Sequence, residues 1–168
     1  EGGLRVPLFM RWPERISAGT EISTPVAHID VMPTLLAAAE TDLPSDRIID
    51  GVNLLSAAAG IGVIHRPDNA LYWSSGSYRA VRAGDWKLQV ETARDVKRLY
   101  NLADDPTEQQ DLSAQLPERV TALEGLMNAH WADARAPLFP HTIEGPVGID
   151  KTPAQALEPG DDYVVWPN

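Results

Sequence analysis

Val6, Leu8, Phe9 and Met10 form a short apolar run punctuated by Pro7 and Pro13. Bounded by turn residues, such a run predicts a strand buried on both faces, as in the parallel sheet of an α/β domain. That strand needs neighbouring strands and covering helices, and only part of the set follows. The expectation is therefore that the sequence is the C-terminal part of a longer protein. Residues 22–27 read as extended, because Pro25 pushes Thr24 away from helical angles. Asp30 then predicts a helix start, with Pro33 in the first turn where amides lack intrahelical partners. Since Pro33 offers no N–H, the expected cap runs from Asp30 to the amide of Met32. The apolar stretch Leu35–Ala39 predicts a mostly buried helix, and Leu54–Ala59 one or two further helical turns.

From residue 70 the pattern changes period. Ala70–Trp73 reads as a short strand. Residues 78–90 read as a hairpin turning at Gly84-Asp85. Trp86, Leu88 and Val90 alternate with Lys87 and Gln89, which predicts a sheet with one wet face. Leu99–Leu102 adds a strand, so an antiparallel sheet of about four strands is expected. After the acidic turn 104–111, Pro117 and Glu118 open a helix. Leu116, Val120, Leu123, Met127 and Trp131 form one apolar stripe along it. Residues 136–162 are rich in Pro and Gly and read as a wrapping tail, with Tyr163–Trp166 as a final strand or anchor.

Charge narrows the function classes. The chain carries 24 acidic against 14 basic residues, a net charge of −10. It has no Lys/Arg cluster of the kind that neutralises phosphates, which argues against nucleic acid or an anionic membrane surface as a partner. No apolar run approaches the roughly 20 residues of a membrane helix. The absence of cysteine removes disulfides, thiolate metal sites and cysteine nucleophiles from this segment.

The order of landmarks carries more. The succession EGGLRVP, RWP, PVAHIDVMPTLL, DGVNLL, YRAVRAGDWKL and LYNLADDPTEQQDL resembles the C-terminal portion of bacterial sulfatases of the alkaline phosphatase superfamily, collinearly over roughly residues 1–132. The resemblance implies an α/β fold: the C-terminal end of an alkaline-phosphatase-like domain, then a small subdomain of about four antiparallel strands packed on one helix. On that basis residues 1–62 end the large domain, 63–135 form the small subdomain and 136–168 the tail. The parent implied is a sulfuric ester hydrolase, using calcium and a formylglycine made within a Cys/Ser-x-Pro-x-Arg motif. Here the Ser-x-Pro is Ser23-Thr24-Pro25, followed by Val26 and Ala27 without the arginine. The family's calcium ligands and catalytic lysine fall upstream of Glu1. The segment is thus expected to hold no catalytic residue, metal ligand or cofactor, and to be inactive alone. Its implied partners are the upstream catalytic domain of the same protein and a sulfate ester. Two alternatives stay open: a phosphate or phosphonate monoester hydrolase of the same superfamily, and a non-catalytic binding module.

Three residues are substrate-binding candidates. Arg5 follows the glycine turn, where it would meet an anionic group or a local salt bridge. His65 and Tyr78 sit where family subdomains lend loop residues to the pocket rim, as does Arg66. The competing reading is ordinary loop packing. His28 with Asp30 reads as a cap and a loop histidine. His130 reads as a surface residue where a helix end welcomes positive charge. Asp68-Asn69, Asp104-Asp105 and Asp161-Asp162 read as turn chemistry. Trp73, Trp86 and Trp131 with Tyr72 and Tyr100 suit a sheet–helix core better than a sugar-stacking platform.

Overall fold

The computed structural model describes residues 4–135, 138, 144–152 and 154–167. They fall into two compact units that meet in sequence at Asn69 and Ala70.

The first unit is built from loops and short helices. A 3-10 turn at His28–Asp30 runs directly into α1, Val31–Ala38, and α2 spans Leu55–Ala58. Both helices stop on a left-handed residue, Glu40 (φ 53°) and Gly60 (φ 74°). In each, an amide past the end returns to a carbonyl inside, Thr41 to Leu36 at 2.9 Å and Ile61 to Ser56 at 3.0 Å. This closes helix carbonyls that would otherwise be orphaned. The predicted opening strand takes a different form. Residues 5–12 carry no strand pairing among the described residues, and Phe9 and Val6 are 87% and 71% exposed. A strand exists through its ladder partners, and here the apolar run has none to bury it. The α1 helix is also less buried than its sequence predicts: Leu35 is 63% exposed, whereas Asp30 and Thr34 are buried.

The second unit has its own core. Strands β1 (Ala70–Ser75), β2 (Tyr78–Ala83), β3 (Trp86–Glu91) and β4 (Val96–Asn101) form an antiparallel meander. The β2–β3 turn falls at Gly84-Asp85, as the sequence predicts, with Gly84 at a φ of 60°. Register aligns Val81 with Leu88 and Leu88 with Leu99 across three strands. Helix α3, Pro117–His130, places Val120, Leu123 and Met127 against that row, with Leu116 and Trp131 packed at the edge of the same cluster. The predicted stripe is the observed one. Two further strands, β5 (Glu144–Gly148) and β6 (Tyr163–Pro167), pair antiparallel as a separate hairpin.

The other face of the sheet is not wet. Lys87 is 1% exposed and its ammonium lies 2.8 Å from Glu108 of the acidic turn, which also accepts a bond from Gln89 at 2.8 Å. Arg98 is buried on this face as well, and its guanidinium pairs with Asp162 at 2.8 Å. Alternation reports which side chains share a face, not what covers that face. Burial alone would raise the Glu108 carboxyl, but the hydrogen bond and charge of Lys87 pull it below the ordinary value.

The charged face is open to test by substitution and by pH. Lys87→Ala should destabilise the second unit by about 3 kcal/mol, because it removes the cation beside a largely buried carboxylate, while the paired Lys87→Met/Glu108→Leu exchange should cost less than either single change. Urea unfolding followed by tryptophan fluorescence measures both. The depressed Glu108 contributes stability above the ordinary carboxylate pKa, and this is lost as pH falls through its lower folded value. Tyr100 reports the alkaline side: burial pushes its phenol up to about 12, against a smaller opposing pull from Arg98. Its contribution is intact below the ordinary tyrosine pKa near about 10 and lost as pH rises through about 12. Ultraviolet phenolate titration should show a late-titrating phenol that disappears in Tyr100→Phe.

Candidate functional site

The most organised polar constellation of the first unit centres on Asp30. Because the helix begins as a 3-10 turn at His28, Asp30 lies inside the first turn and not ahead of it (φ −78°, ψ −14°). Its carboxylate therefore turns away from the amide of Met32, and the expected cap is not formed. Oδ2 accepts from the Ala27 amide at 2.8 Å and from Arg66 Nη2 at 2.5 Å, while Oδ1 accepts from the Val52 amide at 2.9 Å. The Asp30 carbonyl accepts from the Thr34 hydroxyl at 2.6 Å, and Thr34 Oγ1 in turn accepts from the Leu54 amide at 3.1 Å. Gly51 permits this approach, since a Cβ there would stand 2.0 Å from the Ile29 carbonyl oxygen. Asp30 side-chain exposure is 0% and that of Arg66 is 6%.

This geometry reassigns Arg66. Its guanidinium is committed to a buried ion pair, so what it offers a site is position: it anchors the loop that presents His65. His65 itself is exposed, as is Arg5. These two share a unit but no hydrogen bond or ion pair. Tyr78 belongs to the other unit, half-buried at the start of β2, opposite Ser75 and Glu91. His130 is exposed at the end of α3, and its ring stacks on Tyr72 at 3.9 Å, with Trp131 edge-on to both. That arrangement packs the aromatic rings against each other and the helix end. Among the described residues no group of three or more His, Cys, Asp or Glu converges as a metal seat.

The profile of the N-sulphoglucosamine sulphohydrolase C-terminal family matches residues 1–129. The chain belongs to that sulfatase family. Human steryl-sulfatase is 47% identical over 93 residues, which make up 55% of this chain and 15% of the human protein. The fold agrees. A crystal structure of Ps i-CgsB superposes with a TM-score of 0.63 at 23% identity, over 76% of this chain and 29% of that one. The structure of BT4656 in complex with its substrate D-glucosamine-2-N,6-O-disulfate gives 0.60 at 22% identity, over 73% of this chain and 27% of that one. The chain therefore spans less than a third of each of these proteins.

The Asp30 network was missed in the sequence because its partners lie 22 and 36 residues away. One local signal was available: Asp30 and Thr34 stand one helical turn apart in an otherwise apolar helix. Asp30→Ala or Arg66→Ala should destabilise the first unit by about 3–5 kcal/mol, since each breaks a buried pair. His65→Ala should change stability by less than about 0.5 kcal/mol. Thermal unfolding of the three variants side by side tests the distinction.

Proposed function

We propose that this chain is the C-terminal scaffold and pocket rim of a sulfatase, whose whole protein converts a sulfate ester and water to an alcohol and sulfate. Alongside family membership, the observation that carries this reading is the inverted burial of the first unit. Helix α1 turns Asp30, Pro33 and Thr34 inward and leaves Val31, Met32 and Leu35 exposed, while Phe9 and Val6 stand free nearby in sequence. Apolar exposure on this scale marks a surface made to be covered. The fitting occupant is the upstream catalytic domain of the same protein.

In that setting formylglycine and calcium belong to the upstream part, where they supply the nucleophile and offset the sulfate charge. The described residues offer calcium no seat, and no chemical step is assigned to them through it. Their part is to bind and to position. Arg5 carries a permanent positive charge suited to an anionic ester. Exposed His65, held by the Arg66–Asp30 anchor, and Tyr78 at the start of β2 provide hydrogen-bonding groups for the alcohol portion. The chain contributes shape and charge, not a nucleophile.

Joining the chain to its upstream sequence tests both halves of the proposal. The chain alone should be inactive and self-associate through its apolar face, whereas the joined protein should be monodisperse and hydrolyse aryl sulfates faster than the matched phosphates. Arg5→Ala, His65→Ala and Tyr78→Ala should each raise KM, by about tenfold where one charge-assisted hydrogen bond is lost. Unchanged kinetics across several sulfate esters would remove these residues from the rim. A well-behaved monomer of the isolated chain would instead favour an independent binding module.

A further inference from the structure

The C-terminal hairpin lies beyond the residues matched by the family profile, which end at 129. It is closed on itself. In its loop, Lys151 Nζ pairs with Asp161 at 2.5 Å and donates to the Ala156 carbonyl at 3.1 Å, while Asp161 accepts from the Glu158 amide at 2.6 Å. The Ile149 amide donates to the Asp162 carbonyl at 2.9 Å and extends the β5–β6 ladder toward the loop. These bonds need nothing from the four-stranded sheet.

Strand β6 packs along β2, and the polar attachments described between hairpin and sheet are made at two consecutive residues. Arg94, in the β3–β4 turn, donates through Nη1 to the Tyr163 carbonyl at 2.8 Å, and its guanidinium stands 4.2 Å from the centre of the Tyr163 ring. Arg98, on β4, pairs with Asp162 at 2.8 Å. The core of the sheet–helix module runs from Ala70 through Leu88 and Leu99 to Met127. Asp162 is 68% exposed, so dissolved ions reach this pair. Glu91 lies on the same sheet face as Arg98. It is bonded to Ser77, but its Oε2 is buried with no hydrogen-bond partner. An unsatisfied buried oxygen penalises a covered face and is relieved when water enters.

We infer that the β5–β6 hairpin is a strap held on the sheet by a two-arginine clip, Arg94 and Arg98, and that it lifts as a unit while the sheet–helix module stays folded. Each part has internal bonding of its own, the condition for opening below the global unfolding free energy, and Arg94 and Arg98 join the two. Salt weakens the clip without weakening the apolar core.

Hydrogen exchange read by mass spectrometry on the intact protein tests this independently of any catalytic activity. Arg94→Gln with Arg98→Gln should accelerate exchange in peptides covering 144–152 and 160–167 by at least about tenfold. Peptides containing Leu88 and Leu99 should keep their protection. In the unaltered protein, raising the salt concentration should move the hairpin peptides in the same direction, a readout that needs no variant to fold. Hairpin and sheet peptides accelerating together would show one cooperative body and overturn the inference. Hairpin exchange unmoved by both the substitutions and salt would show that the arginines do not hold the strap.

Discussion

A buried carboxylate has to be satisfied or it costs several kcal/mol, and the first unit is arranged around satisfying one. Asp30 receives two backbone amides and a guanidinium from three separate segments. Each donor arrives from a stretch with little regular structure of its own, so the carboxylate fixes where those stretches lie. A bond of this kind contributes less to net stability than to uniqueness, because breaking it leaves a charge stranded while an alternative arrangement has no substitute for it. Orientation follows as well. Once Asp30 and Thr34 face inward, the helical repeat turns Val31, Met32 and Leu35 outward.

The second unit divides its two faces by a different rule. One face of the sheet is sealed by the α3 stripe and stabilised by apolar burial. The opposite face holds Lys87, Gln89 and Arg98 beside buried Leu71, Ala80 and Tyr100, and its charges are matched by Glu108 from the acidic turn and Asp162 from the hairpin loop. The charged side accommodates elements that arrive late in the sequence, because an ion pair asks only for a matched charge at the right distance. The turn at 104–111 is held mainly by its own bonds: Asp105 accepts from the Gln110 amide at 2.8 Å, and backbone hydrogen bonds from Gln109 and Gln110 lower its carboxyl. It therefore presents Glu108 from a rigid loop.

Local features were the legible ones. The Gly84-Asp85 turn, the row of Leu88 and Val90, and the α3 stripe all follow from spacing, and each was readable because its partners lie within a turn or a hairpin. Collinear landmarks extended that reading to the family. What escaped was long-range. Asp30 before Pro33 looks like a cap, and only Val52 and Arg66 reveal it as a junction. Lys87 and Gln89 look solvated, and only Glu108 reveals that they are covered. Arg5, His65 and Tyr78 are proposed from residue type and position alone, and the anchoring of Arg66 was not legible, since a guanidinium in a loop looks the same whether it awaits a substrate or holds a buried carboxylate.

The two units consequently differ in how far they can stand alone. The sheet–helix module buries a continuous apolar cluster, and at about 25 cal/mol per Å² that burial is its main source of stability. The first unit keeps polar bonds inside and much of its apolar surface outside, including Phe9 at 87% exposure. Hydrogen bonds inside a folded chain replace bonds to water and return only about 1 kcal/mol each. A unit built that way has little apolar burial to add to those bonds, so the network around Asp30, which ties Ala27, Val52 and Arg66 to one carboxylate, is what sets its shape.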